Sequence, residues 1–211
     1  MDFEAARKKL LAGLGLEIHD RRVLKAMDKV PRELFVPLAS QHLSYEDIPL
    51  PIGEGQTISQ PFIAALMTQE LELTGKEKVL EVGTGSGYQA AILAELAGSV
   101  VSVERFSALL EGAEKLLKRL GYQSIEFHVS GRTLGWPAGA PYDAIMVTAG
   151  APSVPEELLS QLRDGGRLVV PVGSRWDQQL LKVTRKGGQD VVKELGACRF
   201  VSLIGEGAWN G

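Results

Sequence analysis

Residues 78–96 read KVLEVGTGSGYQAAILAEL. A short apolar run, residues 78–82, ends at three alternating glycines, and a helical pattern follows over residues 87–97. Glycines at such a place let the backbone turn sharply and approach a ligand closely. The same strand-then-helix alternation continues outward. SVVSV (99–103) predicts a second strand, residues 107–120 a helix, IEFHV (125–129) a third strand and DAIMVT (143–148) a fourth. A helix is expected to start near Pro155, and RLVVPV (167–172) predicts a fifth strand. Strands alternating with helices indicate an α/β fold with a mostly parallel sheet. The tail breaks that rhythm. Residues 179–195 read as two strands around Gly187 and Gly188, and CRFVSLI (198–204) as a third, which predicts an antiparallel edge.

Upstream, residues 2–14 carry apolar positions at helical spacing, and a second helix is expected over Asp20–Val30 with Asp20 as N-cap. Pro31 and Pro37 bracket a short turn of chain. Residues 44–60, SYEDIPLPIGEGQTISQ, fit no regular element, and a loop this long in a compact domain is often functional. Pro61 suits the first turn of a helix running to about Leu73. On this reading residues 1–211 form one domain: N-terminal helices and loop (1–60), an α/β core (61–173) and a C-terminal β addition (174–211).

Composition narrows the function classes. The 211 residues are 45% hydrophobic and 23% charged, with a formal net charge of −3, so neither disorder nor a general basic nucleic-acid surface is expected. No apolar stretch reaches the ~18 residues of a membrane span. The start, MDFEAARKKLLAGLG, lacks the apolar core of a signal peptide. The lone Cys198 forms no intrachain disulfide, and His19, His42 and His128 show no metal-ligand spacing, so no metal is expected. A cytoplasmic protein without membrane attachment is the resulting expectation.

The glycine loop speaks for a nucleotide-like ligand. Glu104 ends the second predicted strand, 21 positions after Gly83. A carboxylate there can accept hydrogen bonds from ribose hydroxyls, in dinucleotide and in S-adenosylmethionine binders alike. The dinucleotide spacing G-x-G-x-x-G fits poorly, since its last position falls on Tyr88 counted from Gly83 and on Ala90 counted from Gly85. The form E-x-G-x-G-x-G, Glu81 to Gly87, instead resembles the first motif of class I methyltransferases.

A second stretch makes the resemblance specific. PLPIGEGQTISQPFIAALMT (49–68) closely resembles the active-site loop of the protein-L-isoaspartate O-methyltransferase family. The likeness extends through VPRELFVP (30–37), LGW (134–136), YDAIMVTAGAP (142–152), LRDGGRLVVPVG (162–173) and RFVSLIG (199–205). It implies a Rossmann-like class I methyltransferase fold with a seven-stranded sheet flanked by helices. N-terminal helical and C-terminal antiparallel additions would help form a peptide cleft. It implies S-adenosylmethionine as cofactor and isoaspartyl-containing proteins and peptides as partners, with the methyl ester collapsing to a succinimide whose hydrolysis returns some normal aspartate. It carries Ser59 and Thr57 over as active-site residues, and Glu81, Gly83, Thr84, Gly85, Ser86, Gly87 and Glu104 as cofactor-binding positions. Read without the family, Ser59 would simply cap the helix after Pro61. Tyr88 and Trp136 read as core aromatics and Cys198 as a buried packing residue.

One position departs from the family. An acidic residue that contacts the adenine amino group is usual after the third strand. Here the segment is Val129-Ser130-Gly131-Arg132-Thr133, and Gly131 takes its place. Weaker cofactor binding is the expectation. Alternatives are a methyltransferase for another acceptor, against which the absence of an N-P-P-Y-like tetrapeptide speaks, and a non-catalytic relative, against which the intact GQTISQP loop speaks.

Overall fold

The computed structural model describes residues 2–210. Helices α1 (Phe3–Leu14) and α2 (Arg21–Lys29) open the chain, with the carboxylates of Asp2 and Asp20 accepting the Ala5 and Arg22 amides as N-caps. Two 3-10 turns follow, Arg32–Phe35 and Leu38–Leu43. The segment expected to be irregular contains a hairpin, β1 (Leu50–Gly53) and β2 (Gln56–Ile58). Its two-residue turn places Glu54 and Gly55 at φ +50° and +68°, the left-handed pair that tight hairpins require. Pro51 within β1 and a Glu-Gly turn hide this hairpin from a sequence reading.

Helix α3 (Pro61–Glu70) leads into the alternating core: β3 (Lys78–Val82), α4 (Tyr88–Ala94), β4 (Ser99–Glu104), α5 (Ser107–Arg119), β5 (Ile125–Val129), β6 (Tyr142–Val147), α6 (Glu156–Ser160) and β7 (Leu162–Gly173). Two long strands, β8 (Gln178–Lys186) and β9 (Gln189–Cys198), complete it. The sheet order is β5-β4-β3-β6-β7-β8-β9. The first five strands are parallel, and β8 and β9 are antiparallel, turning through Gly187 and Gly188, both at positive φ.

Side chains along a strand alternate between faces, so the parallel strands feed two cores. Val79, Val100, Ala144 and Met146 pack with Leu14, Met27, Met67 and Ile92 from the helices on one face. Leu80, Val101, Ile145 and Val147 pack with Leu134, Leu158 and Leu203 on the other. Each fully buried aliphatic side chain contributes roughly 1.5–3 kcal/mol. Among the described residues no helix is long and apolar enough to cross a membrane.

The third C-terminal strand expected over 198–204 does not join the sheet. The Gly150 amide donates to the Val201 carbonyl (2.7 Å) and the Leu203 amide to the Gly150 carbonyl (2.8 Å). The β-like composition is answered by the loop after β6, not by the edge of β9. Cys198 is half-buried against the larger core, not fully buried, and burial pushes its thiol up to about 11.

Candidate active site

In open α/β sheets, ligands bind beyond the carboxyl ends of the strands where the strand order reverses. That point lies at β3, whose neighbours are β4 on one side and β6 on the other. A cleft of about 1010 Å³, counting its open mouth, lies there. Thr57, Ser59, Gly83, Thr84, Gly85, Ser86, Glu104 and Gly131 all line it. The cleft is walled by the loops after β3, β4, β5 and β6, by the segment around β2, and by Val201–Ile204. The C-terminal segment around Val201–Ile204, which does not join the sheet, thus forms part of the cleft wall.

The glycine loop is held by the ends of neighbouring strands. The Gly83 amide donates to the Val103 carbonyl (2.8 Å), and the Thr148 hydroxyl donates to the Gly83 carbonyl (2.7 Å). Gly83 sits at φ +104°, and a Cβ there would collide with Thr148 Oγ1. Two independent reasons thus require glycine. Gly85, at φ +52°, lies under Ile52 of β1, so the hairpin packs over the loop.

Glu104 is 7% exposed and turns its carboxylate into the same loop. Its Oε2 accepts the Gly85 amide (2.8 Å), and its Oε1 accepts the amides of Arg105 (2.7 Å) and Phe106 (3.0 Å). Three of about four acceptor positions are taken, which leaves about one for a ligand in this arrangement.

Two expected cofactor positions do not line the cleft. Glu81 is fully buried beneath the loop and accepts a hydrogen bond from Ser102, whose hydroxyl also meets that of Thr84 (2.6 Å). Burial pushes the Glu81 carboxyl up to about 8; the Ser102 hydrogen bond opposes this and nearby Glu104 adds to it. Its Oε1 has no hydrogen-bond partner among the described residues. Gly87 precedes α4 at φ +87°, and a Cβ there would press on Leu117 and Ala113 of α5. These two residues shape the loop from behind.

Ser59 does not cap α3. The N-cap position is Gln60, without a side-chain cap, and the free amide of Phe62 donates instead to Asp47 Oδ1 (2.7 Å). Asp47 Oδ2 accepts the Gln60 side-chain amide (2.9 Å). Neither the Ser59 nor the Thr57 hydroxyl hydrogen-bonds to any described residue. Both stay available at the cleft wall. Tyr88 belongs to the core, 3% exposed, and also touches the cleft, while Trp136 stacks on His128 at 3.7 Å, outside it.

Among the described residues, Glu104 and Arg105 are the charged side chains of the lining. At Gly131 a Cβ would meet nothing within 4 Å, so the glycine leaves open space in that wall. Sequence reasoning missed Thr148, Ser102 and Asp47, because each acts through partners distant in sequence.

Comparison with known proteins agrees with this geometry. The model of the protein-L-isoaspartate(D-aspartate) O-methyltransferase family matches residues 7–208. The protein-L-isoaspartate O-methyltransferase 1 of Syntrophobacter fumaroxidans is 54% identical over 215 residues, covering 100% of both chains. A Geobacter metallireducens protein-L-isoaspartate O-methyltransferase is 51% identical, covering 100% of this chain and 99% of its own. Among solved structures, a protein-L-isoaspartate O-methyltransferase superposes with TM-score 0.84 at 34% identity, over 96% of this chain and 67% of that one. A Plasmodium falciparum protein solved in complex with S-adenosyl-L-homocysteine superposes with TM-score 0.80 at 25% identity, over 94% and 98%. With its glycine loop, its strand-end carboxylate and its Thr57–Ser59 wall in one cleft, the chain belongs to the protein-L-isoaspartate(D-aspartate) O-methyltransferase family.

Proposed function

We propose that the chain transfers a methyl group from S-adenosylmethionine to the free α-carboxylate of L-isoaspartyl residues in damaged proteins and peptides, the first step of their repair. The observation that carries the site assignment is the capping of α3 by Asp47, which leaves the Ser59 hydroxyl at the cleft without another task. The family match over residues 7–208 supports the reaction.

The cofactor supplies a methyl group on a positively charged sulfur. Gly83, Thr84, Gly85 and Ser86 would hold it along their backbone, with Glu104 facing its ribose and Gly131 in the opposing loop. The acceptor carboxylate has an ordinary pKa near ~4, so it is ionised at neutral pH and no strong base is needed. The task of the protein is alignment. Ser59 donates a hydrogen bond to the carboxylate and fixes which oxygen faces the methyl group, and Thr57 assists from the same strand edge. Hydroxyls suit this role, because a fully ionic clamp would over-stabilise the charge that the reaction neutralises. The C-terminal Val201–Ile204 segment narrows the cleft and helps exclude water.

This reading includes a cytoplasmic setting, in keeping with a single cysteine and no intrachain disulfide. Calorimetry tests the cofactor half. S-adenosylhomocysteine should bind and NAD should not; a preference for NAD would overturn the assignment.

A further inference from the structure

The geometry points to Arg32 as a positioning residue for methyl transfer, one that anchors Ser59 and keeps a buried positive charge beneath the segment receiving the substrate carboxylate. This rests on the function proposed above.

Arg32 is 0% exposed. Its Nε donates to the Ser44 carbonyl (2.9 Å), and its Nη2 donates to the carbonyls of Ser59 (2.8 Å) and Ile48 (3.4 Å). One guanidinium therefore ties the beginning of the 44–60 segment to its end. Its Nη1 has no hydrogen-bond partner among the described residues, and its face lies 4.9 Å from the centre of the Tyr88 ring. Ser59 and Tyr88 both line the cleft.

No described carboxylate lies within ion-pair distance of Arg32, and Asp47, whose charge acts on it from farther away, is engaged with Phe62 and Gln60. A guanidinium keeps its proton even when buried. Burying an ion against carbonyls and a ring alone is unfavourable, and a neutral side chain could satisfy carbonyls at less cost. An incoming carboxylate supplies the missing opposite charge; because Arg32 sits behind the Ser59 carbonyl and does not line the cleft, its charge favours carboxylate binding at a distance without forming an ionic clamp on the reacting oxygen. The anchor on the Ser59 carbonyl fixes the backbone that carries the Ser59 hydroxyl. A displacement of ~1 Å at such a group can lower the rate on the order of 10²-fold.

Two substitutions separate the anchor from the charge. Arg32→Lys keeps the charge and cannot span three carbonyls. Arg32→Gln also cannot span them, and in addition removes the charge. Each is assayed with an isoaspartyl peptide, and binding is compared between that peptide and its carboxamide analogue, which lacks the negative charge. S-adenosylhomocysteine is present during purification to support folding. Both variants should lose kcat on the order of 10²-fold while their Kd for S-adenosylhomocysteine stays within about twofold. The wild type and Arg32→Lys should favour the carboxylate over the carboxamide, and Arg32→Gln should lose that preference. A purely structural residue would not move this ratio. Wild-type kcat in folded Arg32→Lys, or an unchanged carboxylate preference in Arg32→Gln, overturns the proposal. Should Arg32→Gln not fold, kcat in Arg32→Lys decides. Absence of transfer by the wild type removes the proposed function itself, and this proposal with it.

Discussion

The Phe62 amide donates to Asp47 Oδ1 at 2.7 Å, so the helix that begins just after Ser59 is capped by a residue 15 positions upstream. Capping therefore falls to Asp47, and the catalytic role proposed for Ser59 separates from it by mutation. Ser59→Ala should lower kcat by about 10- to 100-fold, the loss of one hydrogen bond to a charged group. Its melting temperature and its affinity for S-adenosylhomocysteine should hardly change. Asp47→Ala should instead cost about 1 kcal/mol of stability. Denaturant unfolding and initial-rate kinetics on both variants check the split, and unchanged turnover in Ser59→Ala would refute its assignment.

Glu104 orders three backbone amides and faces the cleft. Glu104→Ala removes both the loop anchor and the carboxylate proposed to accept from the ribose. The Kd for S-adenosylhomocysteine should rise by about 10- to 100-fold, from charged hydrogen bonds of roughly 1.5–3 kcal/mol. Calorimetry reads this directly, and wild-type affinity would show that the carboxylate serves only the loop.

Gly131 offers open space for a side chain at the cleft wall. Gly131→Asp adds an acceptor there without displacing a neighbour. Binding of S-adenosylmethionine should tighten by about 0.5–1.5 kcal/mol, a typical net hydrogen bond. Equal or weaker binding in calorimetry sinks the idea that this glycine weakens the site.

Glu81 carries a pH signature. Burial, partly offset by the Ser102 hydrogen bond and reinforced by Glu104, raises its carboxyl from 4.5 to about 8. The folded state then holds a proton that the unfolded chain releases near 4.5. Its contribution to stability is complete below about pH 4.5 and is lost progressively as pH rises through about 8. Glu81→Gln is uncharged at every pH and should flatten that part of the profile. Thermal melts of both proteins from pH 5 to 9 test this; parallel profiles would place the titration elsewhere.

Local patterns were readable and distant partnerships were not. The alternation of Val79 and Leu80 between two cores, and the spacing from Gly83 to Glu104, depend on strand period and turn chemistry that lie within a few residues. The β1–β2 hairpin was hidden because its turn is Glu54-Gly55 and its first strand holds Pro51. RFVSLIG has β-like composition, yet its partner is Gly150 beyond β6, which composition does not specify. Ser59 looked like a cap because Asp47, the actual cap, is remote in sequence. Arg32 looked like any charged residue of a short turn, since only the folded chain buries it among three carbonyls.

The most direct test offers labelled S-adenosylmethionine and two peptides that differ only in one linkage, isoaspartyl or aspartyl, to the purified protein. The account predicts base-labile methyl transfer to the isoaspartyl peptide alone. Transfer to neither peptide despite binding of S-adenosylhomocysteine, or equal transfer to both, would contradict it.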